Sequence, residues 1–426
     1  MLLALGVVTA GAQRPTPPRT RADSIAKARE DSAAAADSIA LMKALEEQRK
    51  EPRADTVSAP SAPSNPRLLP DISAVGDLVA DFSPDGTTQE DGKRLGVREV
   101  ELAVQAVVDP YFRGDIFLGF NDVEGAAVEQ AYLTATSLPW QLEARAGRFL
   151  LPFGKQNTTH RHDLHTFEYP YVVQRLLGEE GARGTGLYAS RVFAPFGFYQ
   201  ELILSVVDGL GESEDLQALE PPNKLLSGLG YLARLRNYWD LGEATNVELS
   251  ASAMTGRRLQ PLSSPVIVSD TEVNAVVARQ STIGADFTFR WRPLQQGLYK
   301  SFILQAEVMH QINERESSLR GRIPANPVTG GPFYEGPTRD FTGGYAFARW
   351  QLTRRLYVGA RGDVVDDPED PDGRTLSAGS GYLELFPSEF SKLLAAFERR
   401  SVAGVGENRI LFQATFALGP HKPHPF

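Results

Sequence analysis

From Asp71 to Leu418 apolar and polar residues alternate in segments of about ten positions. The clearest runs from Thr282 to Trp291. Ile283, Ala285, Phe287, Phe289 and Trp291 share one parity; Thr282, Gly284, Asp286, Thr288 and Arg290 share the other. Successive side chains of a strand point to opposite faces, so this segment has one greasy face and one polar face. Val100, Leu102, Val104, Ala106 and Val108 oppose Glu99, Glu101 and Gln105 in the same way. So do Val247, Leu249, Ala251 and Ala253 against Asn246, Glu248, Ser250 and Ser252, and Ala346, Ala348, Trp350 and Leu352 against Tyr345, Phe347, Arg349 and Gln351. Ile410, Phe412, Ala414, Phe416 and Leu418 form the last apolar row, opposite Arg409, Gln413 and Thr415.

A soluble sandwich also alternates, and the connections discriminate between the two. Short turns fall near Asp109-Pro110, Leu138-Pro139, Pro195-Phe196-Gly197, Asp240-Leu241-Gly242, Pro293 to Gly297, Thr353-Arg354 and Pro387-Ser388. Connections that are mostly longer run near Ser83 to Arg94, Asn121 to Gly125, Pro152 to Arg183, Gly209 to Leu226, Gly256 to Arg279, Asn313 to Arg339, Asp366 to Arg374 and Ala403 to Glu407. Tight turns at one end and longer loops at the other mark an outer-membrane barrel, and this series predicts about 16 strands. Fourteen or eighteen remain open, because Ala126 to Ser137, Gly184 to Ala194 and Phe390 to Ser401 are ambiguous, and the last also reads as helix. The expected fold is all-β: a transmembrane antiparallel β-barrel wide enough for an aqueous channel. Trp140, Phe149, Tyr111, Phe112, Tyr238, Trp239 and Tyr299 lie near strand ends, as interfacial girdles do.

The residues before the barrel differ in character. Positions 1–12 are apolar and end Ala10-Gly11-Ala12, the small-x-small pattern of a signal peptide. Positions 13–51 read as a helical stalk, with Asp23-Ser24-Ile25-Ala26 recurring as Asp37-Ser38-Ile39-Ala40. That interval is two heptads, the period of a coiled coil with small seam residues. A solvated helix or charged coil fits as well. A Pro-rich linker, 52–70, separates this stalk from the barrel at 71–419, and a tail, 420–426, follows. Pro420 cannot donate within a ladder, so the last strand stops near Leu418. After position 12 no apolar run reaches the roughly 18 residues of a spanning helix, so a membrane can be crossed only by closed strands.

The net charge of −9 in 426 residues offers no basic stripe and so no nucleic-acid partner. Cysteine is absent, which removes disulfides and thiolate metal sites.

The connection from Pro152 to Arg183 joins the fifth and sixth strands and is the longest. Loops of that size are commonly functional, and one folded inward would narrow a pore. Its flanks read Arg148-Phe149-Leu150-Leu151-Pro152-Phe153-Gly154, then Glu179-Glu180-Gly181, then Gly184-Thr185-Gly186-Leu187. This run resembles the phosphate-selective porin O and P family. The resemblance implies a trimeric diffusion channel with a constricting loop after the fifth strand; it does not imply phosphate as the solute. Strand parity places Arg113, Arg145, Arg234, Arg236, Arg290, Arg292, Arg349 and Arg361 on the lumen wall, with Glu99, Glu101, Glu143 and Glu307. Asp115, Glu248, Asp286, Asp363 and Glu384 join them, so neither sign dominates. A ring of one sign would set ion selectivity; a mixture leaves it open, and each charge taken singly reads as a wall residue in a lateral ion pair.

The loop adds Lys155, His160, Arg161, His162, Asp163 and His165 as constriction candidates. The three histidines could ligate a divalent ion or simply hydrogen-bond the loop to the wall. Their spacing matches no structural zinc site, so neither metal nor cofactor is assigned. His421 and His424 form a second small cluster in the tail. Catalysis has little to stand on: His310 falls on the lipid face, and no serine sits in a strained turn. The expectation is therefore a passive channel for small hydrophilic solutes or anions in a bacterial outer membrane, surrounded by lipid and trimeric. A barrel tethered through its N-terminal helix is the alternative.

Overall fold

The structure is a computed structural model and describes residues 70–89, 92–121, 125–210, 228–268, 271–313, 339–370 and 372–420. The expected signal peptide, the stalk, all of the linker but Pro70, and the tail histidines lie outside these residues. The described residues belong to one compact unit, Asn65–Phe426.

Sixteen strands close into one barrel in which each pairs antiparallel with its neighbours in sequence, and the last with the first. They are β1 (Asp71–Asp81), β2 (Leu95–Val107), β3 (Phe112–Asn121), β4 (Gly125–Ala135), β5 (Leu142–Leu150), β6 (Arg183–Phe193), β7 (Tyr199–Val207) and β8 (Gly230–Gly242). The circuit continues through β9 (Thr245–Val268), β10 (Thr271–Trp291), β11 (Phe302–Asn313), β12 (Phe341–Gln351), β13 (Leu356–Asp366), β14 (Thr375–Ser388), β15 (Ser391–Val402) and β16 (Val405–Leu418). Closure pairs Ala74 with Leu418, so no strand edge is left unpaired between β1 and β16. No helix among the described residues is long and apolar enough to cross a membrane.

Burial is inverted relative to a soluble protein. Ile283 is 51% exposed, while Asp286 and Thr288 on the same strand are 1% and 0% exposed. Apolar side chains such as Leu187, Val308, Phe397 and Phe416 stand outside, and Glu384, Lys392 and Arg409 are buried inside. Outward aromatic rings cluster near one turn, where Trp291 and Trp350 stack 5.7 Å apart.

Three expectations change. The stretch from Phe390 is strand β15, not helix. The connection expected from Gly256 to Arg279 is mostly ladder, because β9 and β10 run on as a hairpin as far as Val268 and Thr271. Residues past the hydrocarbon need no greasy row, so alternation carries no signal there. The connection expected from Ala403 to Glu407 shrinks to the turn Ala403-Gly404, whose φ angles of 50° and 80° suit a two-residue hairpin.

Candidate functional site: a loop folded into the barrel

Leu151 to Ala182, between β5 and β6, enters the barrel and is held by the wall on several sides. Its two ends are fastened together. Leu151 N donates to Ala182 O at 2.9 Å. Asn157, fully buried, donates to Leu151 O (2.7 Å) and Ala182 O (3.0 Å) and accepts from Ala182 N (2.6 Å).

Gly154 turns the chain inward at φ 60°, where a side chain would also strike the Glu307 carboxylate. Lys155 then donates to both oxygens of Glu248 on β9, at 2.8 and 2.9 Å, and burial works against its charge. His160 swings to β2, with Nδ1 2.6 Å from Glu101 and Nε2 2.9 Å from Gln130 of β4. Burial disfavours its charged ring, but the Glu101 bond prevails and raises its pKa. His162 is buried beside it, the two rings 5.5 Å apart. Lys392 of β15 donates to the carbonyls of His162 (2.6 Å) and Leu164 (2.9 Å). His165 lies 3.8 Å from Glu384; burial and the Arg349 guanidinium lower its pKa.

Beyond that point three arginines converge on the loop. Arg98 donates to Phe167 O, Arg361 to Thr166 Oγ1 and Glu168 O, and Arg409 to the Glu168 carboxylate at 2.8 Å. Burial alone would raise Glu168, yet Arg409 holds it well below the usual carboxylate range. A short helix, α1 (Tyr171–Leu177), follows Pro170. Its Val172, Val173, Leu176 and Leu177 are buried in a cluster with Leu151, Phe153, Tyr345, Phe347 and Val365. Gly343 of β12 makes room for it: a side chain there would meet Val172 and Val365.

The wall residues singled out by sequence are mostly paired sideways. Arg113 meets Asp115 at 2.9 Å, and Arg145 meets Glu143 at 2.6 Å with its guanidinium over Tyr188. Arg234 meets buried Asp286 at 2.9 Å; Arg236 bridges Glu201 and Glu248; Arg290 lies 3.5 Å from Glu248. Arg349 binds Glu384 at 2.5 Å and covers Tyr357, and Arg361 binds Asp363 at 2.7 Å. Arg292 sits just past β10 and donates to Gly297 O. Glu307 accepts from Tyr345 OH at 3.2 Å, and Arg161 lies 3.7 Å from Glu180. His162 Nε2 is 3.8 Å from Asp163. His310 bonds Thr342 on the outer face, away from all of these.

Sequence parity missed the apolar part of the interior. Tyr188, Ile203, Val207, Leu232, Met254 and Met309 face inward and pack with the loop. Phe149, expected in an interfacial girdle, belongs to the same cluster and is 2% exposed. The available signal was the double apolar composition of segments such as Leu202 to Val207, where greasy residues fall on both parities.

Among the described residues, two cavities border the loop. One, of about 190 Å³, opens among Thr88, Gln89, Arg98, Arg161, Glu168, Arg175 and Arg400, towards the long connections. The other, of about 350 Å³, lies towards the short turns and is lined by His165, Arg290, Arg292, Arg349, Gln351 and Tyr357.

No family model matches the chain. It is 25% identical over 412 residues to an uncharacterized protein of Aquifex aeolicus (strain VF5), spanning 85% of this chain and 81% of that one. Among solved structures it resembles the outer-membrane protein OmpT of Vibrio cholerae in its trimer form, at TM-score 0.52 and 10% identity over 82% of this chain and 99% of that one. The anion-selective porin of Comamonas acidovorans aligns at TM-score 0.51 and 10% identity, covering 82% and 99% of the two chains. OprB of Pseudomonas putida aligns at TM-score 0.51 and 9% identity, covering 83% and 94%. The fold is that of outer-membrane porins. None of these comparisons singles out the phosphate-selective porin family, and at such identities the porin likeness is one of architecture.

Proposed function

We propose that this chain is a passive diffusion channel of a bacterial outer membrane, with the segment Leu151 to Ala182 as its constriction. One observation carries the reading: in a closed barrel with an apolar exterior, that segment is bonded to the inner wall through Glu101, Glu248, Asp363, Lys392 and Arg409. A solute entering from the loop end meets the cavity lined by Arg98, Arg161, Arg400 and Glu168; one leaving meets Arg290, Arg292 and Arg349. Arginine at both mouths favours small anions over cations, even though most of the guanidiniums are tied to carboxylates. The trimeric form of the Vibrio OmpT barrel supports a homotrimer here. We read the barrel as a channel without catalysis, in keeping with the porin architecture it shares with its structural neighbours.

Planar-bilayer recording tests this directly. The intact protein should give discrete conductance steps with an anion-leaning reversal potential in a salt gradient. Deletion of Asn157 to Gly178 should enlarge the steps severalfold. A deletion variant that folds and conducts no better than the parent would remove the loop from the role of constriction.

A further inference from the structure

Two strands beside His160 each carry one residue more than their partner can pair. In β2 the extra residue is Arg98, since Asp77 faces Glu99 and Leu78 faces Val97. In β4 it is Glu129, since Phe117 faces Gln130 and Leu118 faces Val128. A bulge breaks the alternation and re-aims a side chain. Glu129 and Gln130 are accordingly both buried inside, and Arg98 joins Glu99 there. Between the two strands, Gly119 of β3 lies opposite Glu101. Any side chain at Gly119 would collide with the Glu129 carboxylate.

The loop brings two imidazoles to this place. Glu101, His160 and His162 each offer one donor atom, and the three atoms lie within 4.8 Å of one another. Glu99, Glu101 and Glu129 satisfy the same condition. Glu101 is 2.6 Å from His160 Nδ1 and 4.0 Å from His162 Nδ1. Donors around a tetrahedral ion with bonds of about 2.0 Å stand about 3.3 Å apart, so small side-chain adjustments close the set. Three carboxyl groups buried this close together cannot all carry charge in a medium of low dielectric unless a proton or a cation joins them. The nearest guanidinium to Glu129, that of Arg183, is 3.6 Å away and is shared with Glu180. Two imidazoles with carboxylate oxygens are the donor set of borderline divalent ions, and the Gln130 amide is placed to orient the His160 ring.

We propose that Glu101, His160 and His162 bind a divalent transition-metal ion of the zinc class, with Glu99 and Glu129 supplying further oxygens. The ion staples the His160 to His162 stretch of the loop to β2 and β4. This assignment does not depend on whether the barrel conducts.

The test uses the full-length chain in detergent, stripped with a chelator, in a His421→Ala/His424→Ala background that removes the tail histidines. Zinc titration by calorimetry should show one equivalent bound per chain. His160→Ala combined with His162→Ala should abolish binding, and Glu101→Gln should weaken it at least tenfold. Absence of binding, or equal binding by these variants, overturns the assignment. A second measurement needs no variant: anomalous diffraction at the zinc edge from soaked crystals of the natural chain. A peak enclosed by Glu101, His160 and His162 supports the site; no peak there overturns it.

Discussion

At the scale of single residues, the interior depends on a few polar side chains that serve backbone groups. Asn157 is the clearest case, because its amide meets three main-chain groups at the mouth of the loop. Asn157→Ala leaves Leu151 O and Ala182 N buried without that amide, while Ala182 O keeps the bond from Leu151 N, at about 1–3 kcal/mol. The expected result is a loop cut readily by added protease while the barrel still resists unfolding in detergent; an uncut loop would show that the clasp is dispensable. Glu168 gives the pH counterpart. Its carboxyl is depressed by Arg409 against the opposing effect of burial, so the folded loop binds fewer protons there than the unfolded chain. The stabilisation is complete above the ordinary carboxylate value of about 4.3 and is lost as the pH falls through the lower folded value. Single-channel records should therefore turn noisy only in strong acid, and Glu168→Gln should bring that noise to neutral pH. Quiet records from the variant at pH 7 would contradict it. Sequence showed the histidines and carboxylates as residue types. It could not show that Glu101 meets His160, because that contact spans 59 positions and depends on the path of the loop.

At the scale of elements, the strands were the most legible part, for a physical reason. Lipid on one side and polar groups on the other force a period of two, and β10 displays it from Thr282 to Trp291. Legibility fails where that constraint lapses. The outer parts of β9 and β10 continue as strand without an alternating row, and the inner faces of β7 and β8 mix Ile203, Val207 and Leu232 with Ser205, Arg234 and Arg236, so apolar residues fall on both parities. Bulges were equally hidden, since Arg98 and Glu129 differ from paired residues only in register. The alternation on β10 makes a sharp prediction. Phe287→Arg should cost about 2–4 kcal/mol near the bilayer midplane. Reversible folding into vesicles under denaturant would measure it. The neighbouring Thr288→Ser, on the inner face, should change stability far less; equal costs would mean that the assignment of faces is wrong.

At the scale of the whole molecule, two kinds of packing coexist in one closed sheet. The outside is a smooth apolar band. The inside is part ion-pair lattice and part hydrophobic core, the core being shared between one excursion of the chain and the strands it packs against. The hairpin from which that excursion leaves is continuous without it: Leu150 faces Arg183, and the next residues, Leu151 and Ala182, are already joined by a main-chain hydrogen bond. The insert can therefore be exchanged between barrels like a cartridge. A shorter or differently charged segment spliced between Leu151 and Ala182 inherits a ready-made socket, and a new permeability could arise without any strand having to be redrawn.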